Sequence, residues 1–249
     1  MRRRGMPRRF RLLGPVLLTP AAIAAGAWLW SRWGYRVRTS ERAVRRAPDA
    51  PVDTPEAGAP DMQTEAEGEG ARFHRTYTVT VRGSELAPAD VIAAIEADIQ
   101  SFVPVELARF EKTEGAERTI AVGDEYDIHI SSPWDGPVRV VERDATSFTF
   151  GTREGHLEAG QIRFRAAPHE AHEGGLRFTI ESWARSRDAL VDLAYDGLGV
   201  AKAAQQGMWT FFCRHVAEVS GGETVGEIEV VTEREAPPDE DPEAAPDEA

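Results

Sequence analysis

The sequence predicts an α+β domain in which an antiparallel sheet curls around one long C-terminal helix, preceded by a single transmembrane helix. Three observations predict it. Six short segments between residues 107 and 183 alternate apolar and polar side chains, are punctuated by Gly, Pro or Asp, and have no helical pattern between them. A long segment after them, Asp188 to Val219, carries apolar residues at helical spacing. Near the N-terminus, Leu12 to Trp30 is a run of nineteen residues without a charge.

That run, LLGPVLLTPAAIAAGAWLW, is close to the roughly 20 residues a helix needs to cross a bilayer. Six arginines precede it and six follow closely, while Trp28, Trp30, Trp33 and Tyr35 gather at its far end like an interfacial aromatic belt. A cleaved leader is the competing reading, since AIAA offers small residues to a peptidase. Cleavage there would leave the apolar GAWLW as a new N-terminus, so an uncleaved anchor is favoured. The expected localisation is a membrane, through one N-terminal span with basic flanks over 1–46. Arginines on both sides leave open which side the domain faces. From Ala47 to Ala71 the chain is rich in Pro, Ala, Gly and acids, too poor in apolar side chains to offset ordering entropy. It reads as a disordered acidic tether, and 236–249 as a disordered acidic tail.

The folded domain is expected over 72–222. Its first strand is RTYTVTV, Arg75 to Val81, with Tyr77, Val79 and Val81 on one face. A helix follows: Pro88 suits its first turn, Asp90 its positive end, and Ile92, Ile95, Ile99 and Phe102 recur at helical spacing until Pro104. The next strands are Leu107 to Lys112, Glu125 to Ile130, Val138 to Arg143, Ser147 to Thr152, Gln161 to Arg165 and Leu176 to Trp183, each with one apolar and one wet face. In the long helix the stripe runs through Leu190, Leu193 or Ala194, Gly197 or Leu198, Ala201, Met208, Phe212, Val216 and Val219, and Ser220 to Gly222 stops it. Glu227 to Val231 adds an edge strand within 223–235. In this order the sheet can enclose the helix's dry face.

The net charge of −13 is unevenly spread. Met1 to Pro48 holds twelve arginines against one acid, Asp49 to Ala71 seven acids and no base, and Arg72 to Glu235 seventeen bases and twenty-eight acids. Nucleic acid is therefore not an expected partner. Cys213 is the only cysteine, which excludes an internal disulfide and reads as a buried thiol.

Within FGTREGHLEAGQIRF, Phe150-Gly151-Thr152, Gly155-His156, Gly160 and Phe164 stand in order. This resembles the YGT-x-x-GH-x-x-x-G-x-x-x-F signature of the family known as domain of unknown function 1990. VGDEYDI from Val122 and GPVRVVERD from Gly136 agree with it, and the resemblance spans roughly Ile120 to Val219. That family is similar to the START and birch-pollen-allergen-like (SRPBCC) superfamily. The resemblance implies a helix-grip fold with an apolar ligand cavity between sheet and helix, and no established reaction.

Candidate site residues follow, each beside its plainer reading. Gly155 and His156 form a cavity-rim hook in which the imidazole carries protons, or a turn whose glycine serves backbone geometry. Glu181 is a candidate acid or base beside His156, and Trp183 a candidate cavity wall. Both share the face opposite Phe178 and Ile180, so they point to solvent unless the strand bends. His169 to Glu173, HEAHE, has ligand-type residues but not the HExxH arrangement, and reads as a solvated loop. His129 alternates with Ile128 and Ile130 and reads as a surface residue. No metal and no cofactor is expected. The leading expectation is a membrane-anchored domain binding a hydrophobic or lipid-like small molecule. The alternatives are a cyclase-like or hydrolase-like enzyme in the same cavity, and an envelope protein-interaction module, with the oligomeric state open.

Overall fold

The computed structural model describes residues 36–54, 56–130, 135–186 and 200–236. The proposed span at Leu12 to Trp30, the first part of the long helix, and the acidic tail lie outside them. Among the described residues no helix is long and apolar enough to cross a membrane.

The strands are β1 (Val37–Val44), β2 (Glu69–Arg82), β3 (Ala108–Glu114), β4 (Glu125–Ile130), β5 (Asp135–Asp144), β6 (Ser147–Thr152), β7 (Glu158–Pro168), β8 (Leu176–Ser186), β9 (Glu223–Thr224) and β10 (Ile228–Glu235); the helices are α1 (Pro88–Ala97) and α2 (Val200–Val219). The strands form one sheet in the order β1-β10-β2-β8-β7-β6-β5-β4-β3, with β9 beside β2. From β3 to β8 each strand pairs antiparallel with its chain neighbour, the meander that the alternating segments predict. The architecture is helix-grip-like, an antiparallel sheet with a helix laid across its concave face.

Strand parity builds the core. Tyr77, Val79 and Val81 of β2, Phe148 and Phe150 of β6, Phe164 of β7, and Phe178 and Ile180 of β8 are all buried, and they meet Met208, Trp209, Phe212, Cys213 and Val216 of α2. Phe164 lies at the centre: its ring stacks on Phe148 at 4.7 Å and meets Phe212 at 5.2 Å and Trp209 at 5.5 Å. Burial pushes the Cys213 thiol pKa up, so it is an inert core residue. The helix stripe ends one turn before its predicted limit, because Val219 is 38% exposed while Ser220 is buried.

The predicted helix up to Pro104 is two pieces. Asp98 leaves helical geometry, with φ −162°, and its carboxylate accepts the Ser101 N–H at 3.2 Å, so a separate 3-10 turn, Ile99–Phe102, continues the apolar face.

The region expected to be a tether is instead a strap packed over the convex face of the sheet. Val52, Ala57 and Met62 are buried against Val141, which a bulge in β5 turns outward. The strap is also bonded down: Gln63 N–H donates to Thr152 O at 2.8 Å, and Thr54 Oγ1 to Val141 O at 3.1 Å. Asp61 takes a two-pronged bond from Arg139 at 2.8 and 2.7 Å. Composition misleads here because a cover on an existing sheet needs few apolar side chains once its backbone polar groups find partners. The basic flank also departs from expectation, since Val37–Val44 runs parallel to β10. β10 is therefore internal, and β1 is the edge.

Candidate functional site

Between the concave face and α2 lies a cavity of about 60 Å³. Ile128, Val138, Phe150, Ile162, Met208 and Trp209 make most of its wall. Its polar portion comes from Thr152, His156, Glu158, Gln161, Ser182 and Gln205. Parity explains two of its strand members: Glu158 continues the inward series of Phe164, Ile162 and Gly160, and Ser182 that of Phe178 and Ile180. This signal was available in the sequence. The predicted β7 segment begins only at Gln161, three residues past Glu158, and the inward series of the predicted β8 segment is followed no further than Ile180, so Glu158 and Ser182 are not among the sequence candidates.

The Glu158 carboxylate is held from two sides. Arg75 Nη1 donates to its Oε1 at 3.3 Å, and Gln205 Nε2 donates to its Oε2 at 3.1 Å. Arg75 is itself buried on β2, opposite Ser182. His156 follows the Gly155 turn, and its Nδ1 lies 2.9 Å from both the N–H and the carbonyl of Glu158. Its ring edge lies over Gly136, where a Cβ would sit 3.1 Å from the imidazole. The turn is fixed to the strap, since Gln63 Nε2 donates to the carbonyls of His156 and Glu158, both at 3.0 Å.

The other sequence candidates go elsewhere. Gly155, at φ +99°, is exposed and shapes the turn; it does not line the cavity. Glu181 and Trp183 stay on the convex face, so Glu181 is not the partner of His156. Glu181 instead meets His74, whose Nε2 lies 2.9 Å from its Oε1. The His74 Nδ1 lies 2.7 Å from Glu233 Oε2, and Arg42 pairs with the same Glu233 carboxylate. Trp183 is 4% exposed because its ring stacks on His74 at 5.4 Å. Burial opposes the charge on His74, but the two carboxylates outweigh it and raise the pKa above its ordinary value. No sequence signal revealed this clasp, because its members are far apart in the chain.

His129 is partly exposed on the outer face near Glu111. His169 and His172 lie in the β7–β8 loop with rings 5.5 Å apart, and among the described residues no group of three ligand-type side chains is placed to hold a metal.

The family model described as a domain of unknown function, DUF1990, matches residues 60–215. The chain belongs to the DUF1990 family. The DUF1990 match begins well before Ile120, where the resemblance was read to start, and takes in the end of the strap, β2 and α1. Strands β1 and β10 lie outside it. No curated protein matches the chain. Among solved structures, the chain is similar to the Zhui aromatase/cyclase of a Streptomyces species, at 15% identity and TM-score 0.43, covering 60% of this chain and 94% of that one. It is also similar to norcoclaurine synthase from Thalictrum flavum, at 11% identity and TM-score 0.40, covering 69% and 98%. Major latex-like protein 151 from Panax ginseng is similar at 14% identity and TM-score 0.39, covering 55% and 95%. At these identities the likeness concerns the fold alone.

Proposed function

We propose that this DUF1990 domain binds a small, mostly apolar molecule in the cavity between sheet and α2, close to a membrane surface. The observation that carries the reading is the cavity itself, apolar over most of its wall and polar at Thr152, His156, Glu158, Gln161, Ser182 and Gln205. Its volume bears on the earlier expectation of a lipid-like ligand. Pockets for drug-sized ligands run to roughly 300–1,000 Å³, whereas about 60 Å³ suits a few waters or a small organic fragment. An acyl chain would require the sheet and helix to part.

The uncharged run Leu12 to Trp30 supports a membrane location. Between Trp30 and the start of β1 at Val37 stand six residues, which reach at most roughly 20–25 Å when extended. With the span inserted, the sheet would lie within that distance of the bilayer. Fractionation with protease protection tests this, and recovery of the full chain from the soluble fraction would remove it.

Native mass spectrometry of the full chain tests the ligand. A co-purified small molecule is expected in the natural chain and is expected to be lost in Ala184→Leu, which fills the cavity. Its persistence in that variant would place it elsewhere and overturn the reading. A second reading, an enzyme using His156 as proton carrier, is favoured by the convergence of His156 and Glu158 on one cavity.

A further inference from the structure

We infer that the cavity selects molecules bearing a hydrogen-bond donor, an alcohol or an amine, and that Glu158 and Ser182 do the selecting. The inference rests on the ligand-binding reading above and adds the chemical class of the ligand.

Besides His156, whose Nδ1 lies against the Glu158 backbone, the polar side chains among the described residues of the wall divide into two groups. Thr152, Gln161 and Gln205 spend their hydrogen bonds inside the protein. Thr152 Oγ1 donates to Gln63 O at 2.8 Å and accepts the Gly160 N–H at 2.9 Å. The Gln161 amide is engaged at both ends by the backbone of Val52, and the Gln205 amide by Glu158 and Arg75. Ser182 is different: it is only 7% exposed, it lines the cavity, and no described residue is placed to hydrogen-bond its hydroxyl. Its Oγ is not sealed off from the cavity it lines. An occupant that covers the hydroxyl without bonding it would forfeit on the order of 1–3 kcal/mol, which an occupant that bonds it avoids.

Glu158 has capacity as well. A carboxylate can accept about four hydrogen bonds, and this one accepts a bond from Arg75 and one from Gln205. Together the two residues offer the cavity several open acceptor positions, on the carboxylate and on the hydroxyl, against one donor, the Ser182 O–H. A complementary ligand therefore brings donors. A ketone or an ether brings acceptors alone and can use only the serine proton. A carboxylate does the same and adds a negative charge beside Glu158, the one acidic side chain among the described residues of the wall.

The test uses the full chain and four-carbon probes of matched size: 2-butanol, sec-butylamine, 2-butanone and butanoate. Binding is read from the Met208 methyl resonance during titration. The alcohol and the amine are expected to bind at least about tenfold more tightly than the ketone and the carboxylate, a difference equivalent to roughly 1.4 kcal/mol. In Glu158→Gln, which keeps the size of the side chain, the advantage of the amine should fall to within about threefold. In Ser182→Ala the ketone should lose its remaining affinity. Equal binding of all four probes to the natural chain would overturn the inference and leave the ligand-binding reading standing. If no probe moves the Met208 methyl, the ligand-binding reading itself fails. If only the alcohol or only the amine shows the preference, the class narrows to that one, provided Glu158→Gln removes it; a preference unchanged by that substitution would overturn the role given to Glu158.

Discussion

His74→Gln isolates the clasp on the convex face. The His74 ring lies between two carboxylates, 2.7 Å from Glu233 and 2.9 Å from Glu181. Ionised carboxylates only accept, so both bonds form when both ring nitrogens carry protons, the imidazolium that the raised His74 pKa favours. A hydrogen bond to a charged group contributes roughly 1.5–3 kcal/mol. Glu233 is well covered at 13% side-chain exposure, whereas Glu181 at 32% lies near the surface and belongs at or below the low end. Glutamine reaches one carboxylate as a neutral donor, so the expected net loss is about 2–3 kcal/mol near pH 6. The sign of the pH dependence follows from the raised His74 pKa. Its contribution is fully present below the unfolded pKa of roughly 6.5 and is lost as pH rises through the higher folded value. Glu233 sets the acid limit: His74 and then Arg42 hold its pKa below the ordinary value against the effect of burial, so its share persists until pH falls through that lowered value. Urea unfolding of the full natural chain and of His74→Gln, at pH 6 and pH 9, checks this. The gap between them should shrink toward zero at pH 9, where neutral histidine, like glutamine, supplies one donor. A gap of the same size at both pH values would refute the imidazolium assignment.

Gly160→Ala should prevent the chain from accumulating in folded form, because the new Cβ would lie 1.9 Å from the Trp183 carbonyl oxygen across the β7–β8 pair; soluble yield and circular dichroism read it out. Phe164→Ala should cost about 3–5 kcal/mol in urea unfolding, since the ring is fully buried at the centre of the aromatic cluster. Asp61→Asn should loosen the strap, seen as faster proteolytic cleavage within 47–68 with little change in global unfolding. The Arg139 bond, followed by that of Arg153, holds the Asp61 pKa down to about 2, so acid should loosen the natural strap only as pH falls toward that value.

The sequence by itself determined the strands of the β3–β8 meander and β2, their faces and the core, but not β1. Alternation at Tyr77, Val79 and Val81, or at Phe148 and Phe150, has one low-energy solution when a single face is dry, and the same argument sets the apolar side of α2. The Gly155-His156 pair was legible as a turn and as a family signature for a local reason, the left-handed φ at Gly155. The inward direction of Glu158 and Ser182 was also legible, by extending the parity of Phe164 and Ile180. Tertiary structure decided the partners. Parity places Glu181 on the outer face, but only the pairing of β2 with β8 and β10 brings His74 between it and Glu233. The strap was hidden because its stability depends on a surface made elsewhere: Met62 needs the bare backbone of Gly151, and Asp61 needs Arg139 and Arg153. Local pattern fixes which way a side chain points, because that depends on its own backbone. What it meets depends on strands a hundred residues away.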